Sequence, residues 1–132
     1  MTTAHLGKLQ LAIMRVLWAD GESTVAEVHR SLEPSHGLAP TTIATMLKKM
    51  EAKGVVAHHT EGRRFIYRAT LSEDAVTRSM VADLKERLFD GSAVALVSHL
   101  LQSHEVDDDE LAALRQQIER AQDDADRSGG ER

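Results

Sequence analysis

The fold class this sequence predicts is mainly α with a small β-hairpin, arranged as a winged helix-turn-helix followed by a C-terminal helical dimerisation region. Three observations lead to it. Residues 6–53 hold three stretches with apolar residues at helical spacing. Residues 55–69 switch to a β-branched and aromatic texture around a turn containing Gly62. From Ser72 the helical spacing returns and holds almost to the end of the chain.

Leu6, Leu9, Ile13, Val16 and Leu17 share one face of the first helix, which Asp20-Gly21 closes. Thr24 opens T-x-x-E with Glu27, a capping box for a second helix running to about Glu33, with Val25, Val28 and Leu32 on one face. Pro34 to Gly37 reads as a turn. Pro40 suits the first position of a third helix, about 40–53, whose inner face carries Ile43, Met46, Leu47 and Met50. Gly54 follows as its cap. Strands are expected at about 55–60 and 64–69, with Phe65 and Tyr67 on a shared face. Two strands alone are marginal, so they must pack on the helices.

Beyond the hairpin, Val76, Met80, Val81, Leu84 and Leu88 form a stripe that ends at Asp90-Gly91. Ser92 caps a short apolar helix at about 93–103. Asp107 and Glu110 repeat the capping-box pattern, and Leu111, Leu114, Ile118 and Ala121 then follow a near-heptad spacing. The domains expected are 1–70, winged helix; 71–122, helical dimerisation; and 123–132, a polar tail without order. Dimer contacts are expected from Val81, Leu84, Leu88, Val97, Leu100, Leu101, Leu111, Leu114 and Ile118, because little else in the chain is available to cover these stripes.

Composition narrows the function. The chain has 132 residues, 42% of them apolar, and no cysteine, which removes disulfides, thiolate metal sites and Cys nucleophiles. No apolar run approaches the ~20 residues of a membrane span, and no signal-peptide pattern opens the chain, so a cytoplasmic protein without membrane contact is expected. No nucleophile elbow, zinc-protease, P-loop or dinucleotide fingerprint is present, and neither an enzyme nor a cofactor is expected. The net charge of −5 conceals an asymmetry. Residues 1–70 hold nine Lys/Arg against six Asp/Glu, and residues 71–132 hold seven against fifteen. A basic half that meets a polyanion follows naturally.

The third helix supplies the chemistry for that polyanion. In a winged helix-turn-helix it enters the major groove of DNA. Its outer face carries Thr41, Thr42 and Thr45, with Lys48 and Lys49 a turn further on. Threonine methyls can touch thymine methyls, and the hydroxyls can bond bases or phosphates. The lysines supply point charges for the backbone. Arg63 and Arg64, at the hairpin tip, can reach an adjacent phosphate or the minor groove.

LGKLQLAIMRVLW, TVAEVHRSL and LAPTTIATMLKKMEAKGVVAHHTEGRRFIYRAT together resemble the penicillinase-repressor family, BlaI/MecI/CopY, over roughly residues 5–120. The resemblance implies a bacterial dimeric repressor that binds an inverted-repeat operator of double-stranded DNA, typically with TACA and TGTA elements. By position, it also implies a DNA face at Thr41, Thr42, Thr45, Lys48 and Lys49 with the Gly62-Arg63 tip. The copper-responsive branch senses through a C-terminal Cys cluster, which this chain lacks. The β-lactam branch is cut by a membrane sensor protease at an Asn-Phe bond. The aligned pair here is His99-Leu100, a candidate cleavage site and, with it, a candidate sensor protease as partner.

His58-His59 suggests a metal site, but neighbouring strand residues point to opposite faces and cannot converge on one ion alone. His99 and His104 with Glu105 and Asp107–Asp109 read as a solvated acidic linker. Two other readings compete with a repressor of this family. One is a winged helix that binds protein only, a class that often loses the basic face kept here. The other is a ligand-sensing regulator of another winged-helix family, which needs an apolar pocket.

Overall fold

The computed structural model describes residues 6–129. In chain order these form α1 (Lys8–Asp20), β1 (Ser23–Thr24), α2 (Val25–His36), α3 (Pro40–Ala52), β2 (Val56–Glu61), β3 (Arg64–Ala69), α4 (Glu73–Phe89), α5 (Ala93–Gln102) and α6 (Asp108–Gly129). The chain is mainly helical with one small sheet, as its sequence predicts. It divides into two compact units, one reaching Leu84 and the other beginning at Lys85.

The core of the first unit joins three helices to the sheet. Ile13, Met14 and Leu17 come from α1, Val28 and Leu32 from α2, and Ile43, Leu47 and Met50 from α3; Val56 and Tyr67 come from the strands. Each large apolar side chain fully removed from water contributes about 1.5–3 kcal/mol. Met14 is buried where the spacing favours Leu9 and Val16, which are only partly covered.

The sheet has three antiparallel strands in the order β1-β3-β2, one more than the sequence predicts. Ser23 lies opposite Tyr67 and Thr24 opposite Ile66, a strand too short to leave an alternating pattern. It exists because Thr24 is the N-cap of α2. An N-cap residue has extended backbone, here φ −77° and ψ 164°, and that backbone also fits beside β3. The Thr24 hydroxyl accepts the Glu27 N–H at 3.1 Å, and the Glu27 carboxylate accepts the Thr24 N–H at 2.9 Å. The capping box expected from the sequence is therefore formed.

Helix α2 also runs past its expected end, carrying Pro34 inside its last turn before Gly37 closes it onto the Glu33 carbonyl at 3.0 Å. The proline cannot donate to the Arg30 carbonyl one turn back and crowds it, but the helix carries on only to His36 before it closes. The wing behaves as expected: β2 and β3 pair from Val56↔Ala69 to Glu61↔Arg64 around Gly62-Arg63. Gly62 sits at φ +64°, where a side chain would be strained.

The boundary expected after residue 70 falls later. The Trp18 indole N–H donates to the Leu71 carbonyl at 2.9 Å, and the Ser72 hydroxyl caps α4 through the Ala75 N–H. Val76 is buried, and Leu71 and Met80 pack against the same core. The start of α4 thus belongs to the first unit.

In the second unit, Ser92 caps α5 through the Ala95 N–H at 3.0 Å. Asp107 and Glu110 close the capping box expected at the start of α6. No residue of α5 or α6 is buried. The disordered tail expected at 123–132 is corrected in part: α6 continues to Gly129, and residues 130–132 lie outside the described residues. Asp123, Asp124, Asp126, Ser128 and Gly129 are weak helix formers, and only Ala125 and Arg127 favour a helix, so the stretch is carried as the continuation of a helix already formed upstream, where propagation costs far less than nucleation.

The Thr24 hydroxyl contributes about 1 kcal/mol as an N-cap, so Thr24→Ala is expected to lower stability by that amount in urea melts at neutral pH. The Thr24 backbone N–H, and then its hydroxyl, hold the Glu27 carboxyl below its ordinary value of 4.5. A depressed carboxyl stabilises the fold fully above its unfolded value, and this contribution is lost as pH falls through the lower folded value. Glu27→Gln should therefore flatten the acid limb of stability as pH falls below the ordinary carboxyl value of 4.5, in melts compared with the native chain. Parallel acid limbs would place the pH dependence elsewhere.

Candidate nucleic-acid interface

Helix α3 is placed by the side chains it buries. Ile43, Leu47 and Met50 face the core at spacings of four and three, and Met46 packs at its margin. The opposite face is therefore fixed. Thr41, Thr42, Thr45, Lys48 and Lys49 are all exposed on it. Thr45 lies three residues from both Thr42 and Lys48, and four from both Thr41 and Lys49, so the five form one continuous patch. Its N-terminal end begins with Pro40, which has no N–H, behind an extended Ala39 whose carbonyl accepts from the Thr42 N–H at 3.1 Å and the Ile43 N–H at 3.3 Å. The Thr45 hydroxyl donates to the Thr41 carbonyl at 2.9 Å, which fixes its rotamer. Among the described residues neither lysine is ion-paired.

The two wing arginines separate. Arg63 is exposed in the turn itself, beside Gly62. Arg64 opens β3 opposite Glu61 and contributes, after the Thr24 hydrogen bonds, to lowering the Glu27 carboxyl. It lines an open cleft of about 640 Å³ with Thr24, Glu27, Arg30 and Phe65. Of the two, only Arg63 lies in the turn itself.

Behind the tip lies a pair that sequence reasoning misses. Glu51, in the last turn of α3, holds His58 Nδ1 of β2 at 2.7 and 2.8 Å from its two oxygens. The His58 ring stacks on Phe65, with centroids 4.2 Å apart and planes 15° from parallel. Tyr67 lies against both rings, and its hydroxyl is raised by burial first and by the Glu51 charge second. The legible part of the signal is strand alternation, which puts His58, Phe65 and Tyr67 on one face. His59 points the other way, with Glu22 and Glu61 each 3.6 Å from its ring nitrogens. Among the described residues no group of three or more His, Asp or Glu is placed to hold a metal ion.

The residues expected to dimerise show a graded exposure. Val81, Leu84, Leu88, Val97, Leu100, Leu101 and Ile118 are exposed, Leu88 to 71%, while Leu111 and Leu114 are half-covered. His99 and Leu100 both lie exposed within α5, and the His99 ring approaches Phe89 at 5.8 Å. Cleavage between them requires α5 to unwind first, since a protease binds its substrate extended. The pocket between α1 and α4, lined by Leu11, Arg15, Trp18, Val76, Met80 and Val81, holds about 180 Å³. Small-molecule sites usually hold 300–1,000 Å³.

A helix with a free cationic outer face, seated beside a hairpin with a cationic tip, defines a winged-helix DNA-binding protein. The chain matches the penicillinase repressor model over residues 6–120, and it belongs to that family. The penicillinase repressor of Bacillus licheniformis is 28% identical over 115 residues, which span 87% of this chain and 90% of that protein. The transcriptional regulator BlaI of Mycobacterium tuberculosis is 31% identical over 116 residues, 86% of this chain and 83% of its own length. The solution structure of the DNA-binding domain of the repressor BlaI is similar at a TM-score of 0.51 and 32% identity, covering 55% of this chain and 89% of that one. The chain is a DNA-binding transcriptional repressor, and its family is one of repressors, not enzymes. Among the described residues no helix is long and apolar enough to cross a membrane.

Arg63→Ala is expected to weaken binding to every duplex in similar measure and to lower the slope of log affinity against log salt by about one unit. Titrations at four salt concentrations measure this. An altered base preference with an unchanged slope would show that Arg63 reads bases.

Proposed function

We infer that this repressor acts in the cytoplasm as a homodimer on an inverted-repeat operator, one winged helix to each half-site. Thr42 and Thr45 read base edges. Thr41, Lys48, Lys49 and Arg63 hold the sugar-phosphate backbone, with Arg64 beside them. The observation that supports it most is the pairing of an exposed, unpaired cationic face on α3 with helices that have no interior of their own. A twofold-symmetric operator demands a twofold-symmetric protein, and the stripes on α4, α5 and α6 supply apolar surface for one.

The division of labour along α3 has distinct energetic signatures. A lost base contact costs about 1–3 kcal/mol on the right operator and little on random DNA, whereas a lost phosphate contact costs both alike. Thr45→Ala is therefore expected to shrink the ratio of operator to random affinity by about tenfold. Lys48→Ala should weaken both and keep the ratio. Fluorescence anisotropy on an inverted repeat selected by the chain itself, and on a scrambled duplex at matched salt, checks this. An unchanged ratio for Thr45→Ala would remove that residue from the groove.

The dimer has its own test in Leu88→Asp. In a lone chain this residue is 71% exposed, and a polar substitution there should change stability by no more than about 0.5 kcal/mol. In a dimer that buries it, the charge splits the copies. Sedimentation of the full chain at micromolar concentration is expected to show a dimer, and the variant a monomer with weakened operator binding. A monomeric native chain would rule the reading out.

A further inference from the structure

The recognition helix and the wing are separate elements joined by residues 53–55, yet both must meet one duplex at once. The core they share, where Val55, Val56 and Tyr67 meet Ile43, Leu47 and Met50, holds them together, and two further features near the tip bear on the angle between them. The first is the Glu51–His58 bond: both carboxylate oxygens lie within 2.8 Å of Nδ1, which places the ring proton between them. The second is the His58–Phe65 stack, which carries the constraint from β2 to β3, one residue from Arg64 and two from Arg63. Phe65 is 41% exposed, and its ring is stacked on His58 and meets Tyr67 edge-on. Glu51 is only half-covered, and His58 likewise, so neither is required to fill the core.

We propose that Glu51 and His58 are positioning residues for DNA binding: the bond between them and the His58–Phe65 stack hold the wing at a set angle to α3, so that Arg63 meets its phosphate while α3 lies in the groove. The proposal rests on the reading of Arg63 as a phosphate contact. It makes a prediction that simple electrostatics reverses. Glu51 is an acid on a DNA-binding module, and its removal would by charge alone tighten binding to a polyanion. If it positions the wing, its removal weakens binding.

The experiment is a double-mutant cycle on the full chain, read by anisotropy on the selected inverted repeat across salt concentrations. Glu51→Ala is expected to weaken binding by a few-fold to about tenfold, as one lost hydrogen bond does, and to lower the salt slope by up to about one unit. Glu51→Gln discards the charge but keeps an oxygen to accept from Nδ1, and it should bind at least as tightly as the native chain. Glu51→Ala combined with Arg63→Ala should bind about as well as Arg63→Ala alone. His58→Phe keeps a ring for the stack and loses the bond; it should reproduce Glu51→Ala, and it serves in its place if that variant does not fold. Circular dichroism melts identify a folding defect. If Arg63→Ala lowers the slope but the two losses add, the positioning proposal fails and the phosphate contact stands. If Arg63→Ala leaves the slope unchanged, both fail. Tighter binding by Glu51→Ala would also overturn the proposal.

Discussion

The exposed threonine and lysine face depends on the obligation of α3 to bury Ile43, Leu47 and Met50. The rotation of a helix about its own axis decides which side chains face outward, and three fully buried side chains on one stripe remove that freedom. Once that stripe is locked against α1, α2 and the sheet, the threonines and lysines are carried outward by the 3.6-residue period. The face therefore needs no interactions of its own to stay oriented. Among the described residues neither Lys48 nor Lys49 is ion-paired, and the Thr45 hydroxyl is held only by the Thr41 carbonyl of its own helix, so little must be broken when a duplex arrives.

This dependence explains why so much was legible in the sequence. The periodicities that identify α1, α2 and α3 are those of the core, and the core is what orients the site. The misreadings have local causes. Ser23 and Thr24 form a strand because an N-cap is extended backbone and β3 passes beside it, a tertiary coincidence with no trace in a two-residue pattern. Pro34 reads as a terminator because one proline usually is one, yet in the last turn the helix carries on past it only to His36. The stretch 123–129 looks like a tail because it has no apolar stripe, but it extends a helix already nucleated upstream, and propagation costs far less than nucleation.

In the site, residue types were easier to read than residue pairs. Thr41, Thr42, Thr45, Lys48 and Lys49 follow from helix geometry alone. Arg63 and Arg64 are adjacent in sequence and look equivalent, but the hairpin register puts one in the turn and the other in a strand facing the start of α2. Glu51 and His58 are seven residues apart across a helix end and a strand start, and no single period connects them. Their contact depends on how residues 53–55 turn, which is a property of the packed chain.

The two halves of the protein pose opposite electrostatic problems. The basic half binds a polyanion, and salt opposes that step because each neutralised phosphate releases counterions that must be released again against a higher concentration. The acidic half, with fifteen Asp/Glu against seven Lys/Arg, must bring like charges together if two copies pair. Salt favours that step by screening the repulsion over a Debye length of about 8–10 Å. The exposed leucines and valines supply the attraction, which acts through the area removed from water and needs no charge. Paired copies would thus persist under conditions that release DNA, and the repressor could leave its operator without coming apart. The two demands are kept apart in the chain itself: the basic excess lies in residues 1–70 and the acidic excess in residues 71–132, where the exposed leucines and valines are uncharged.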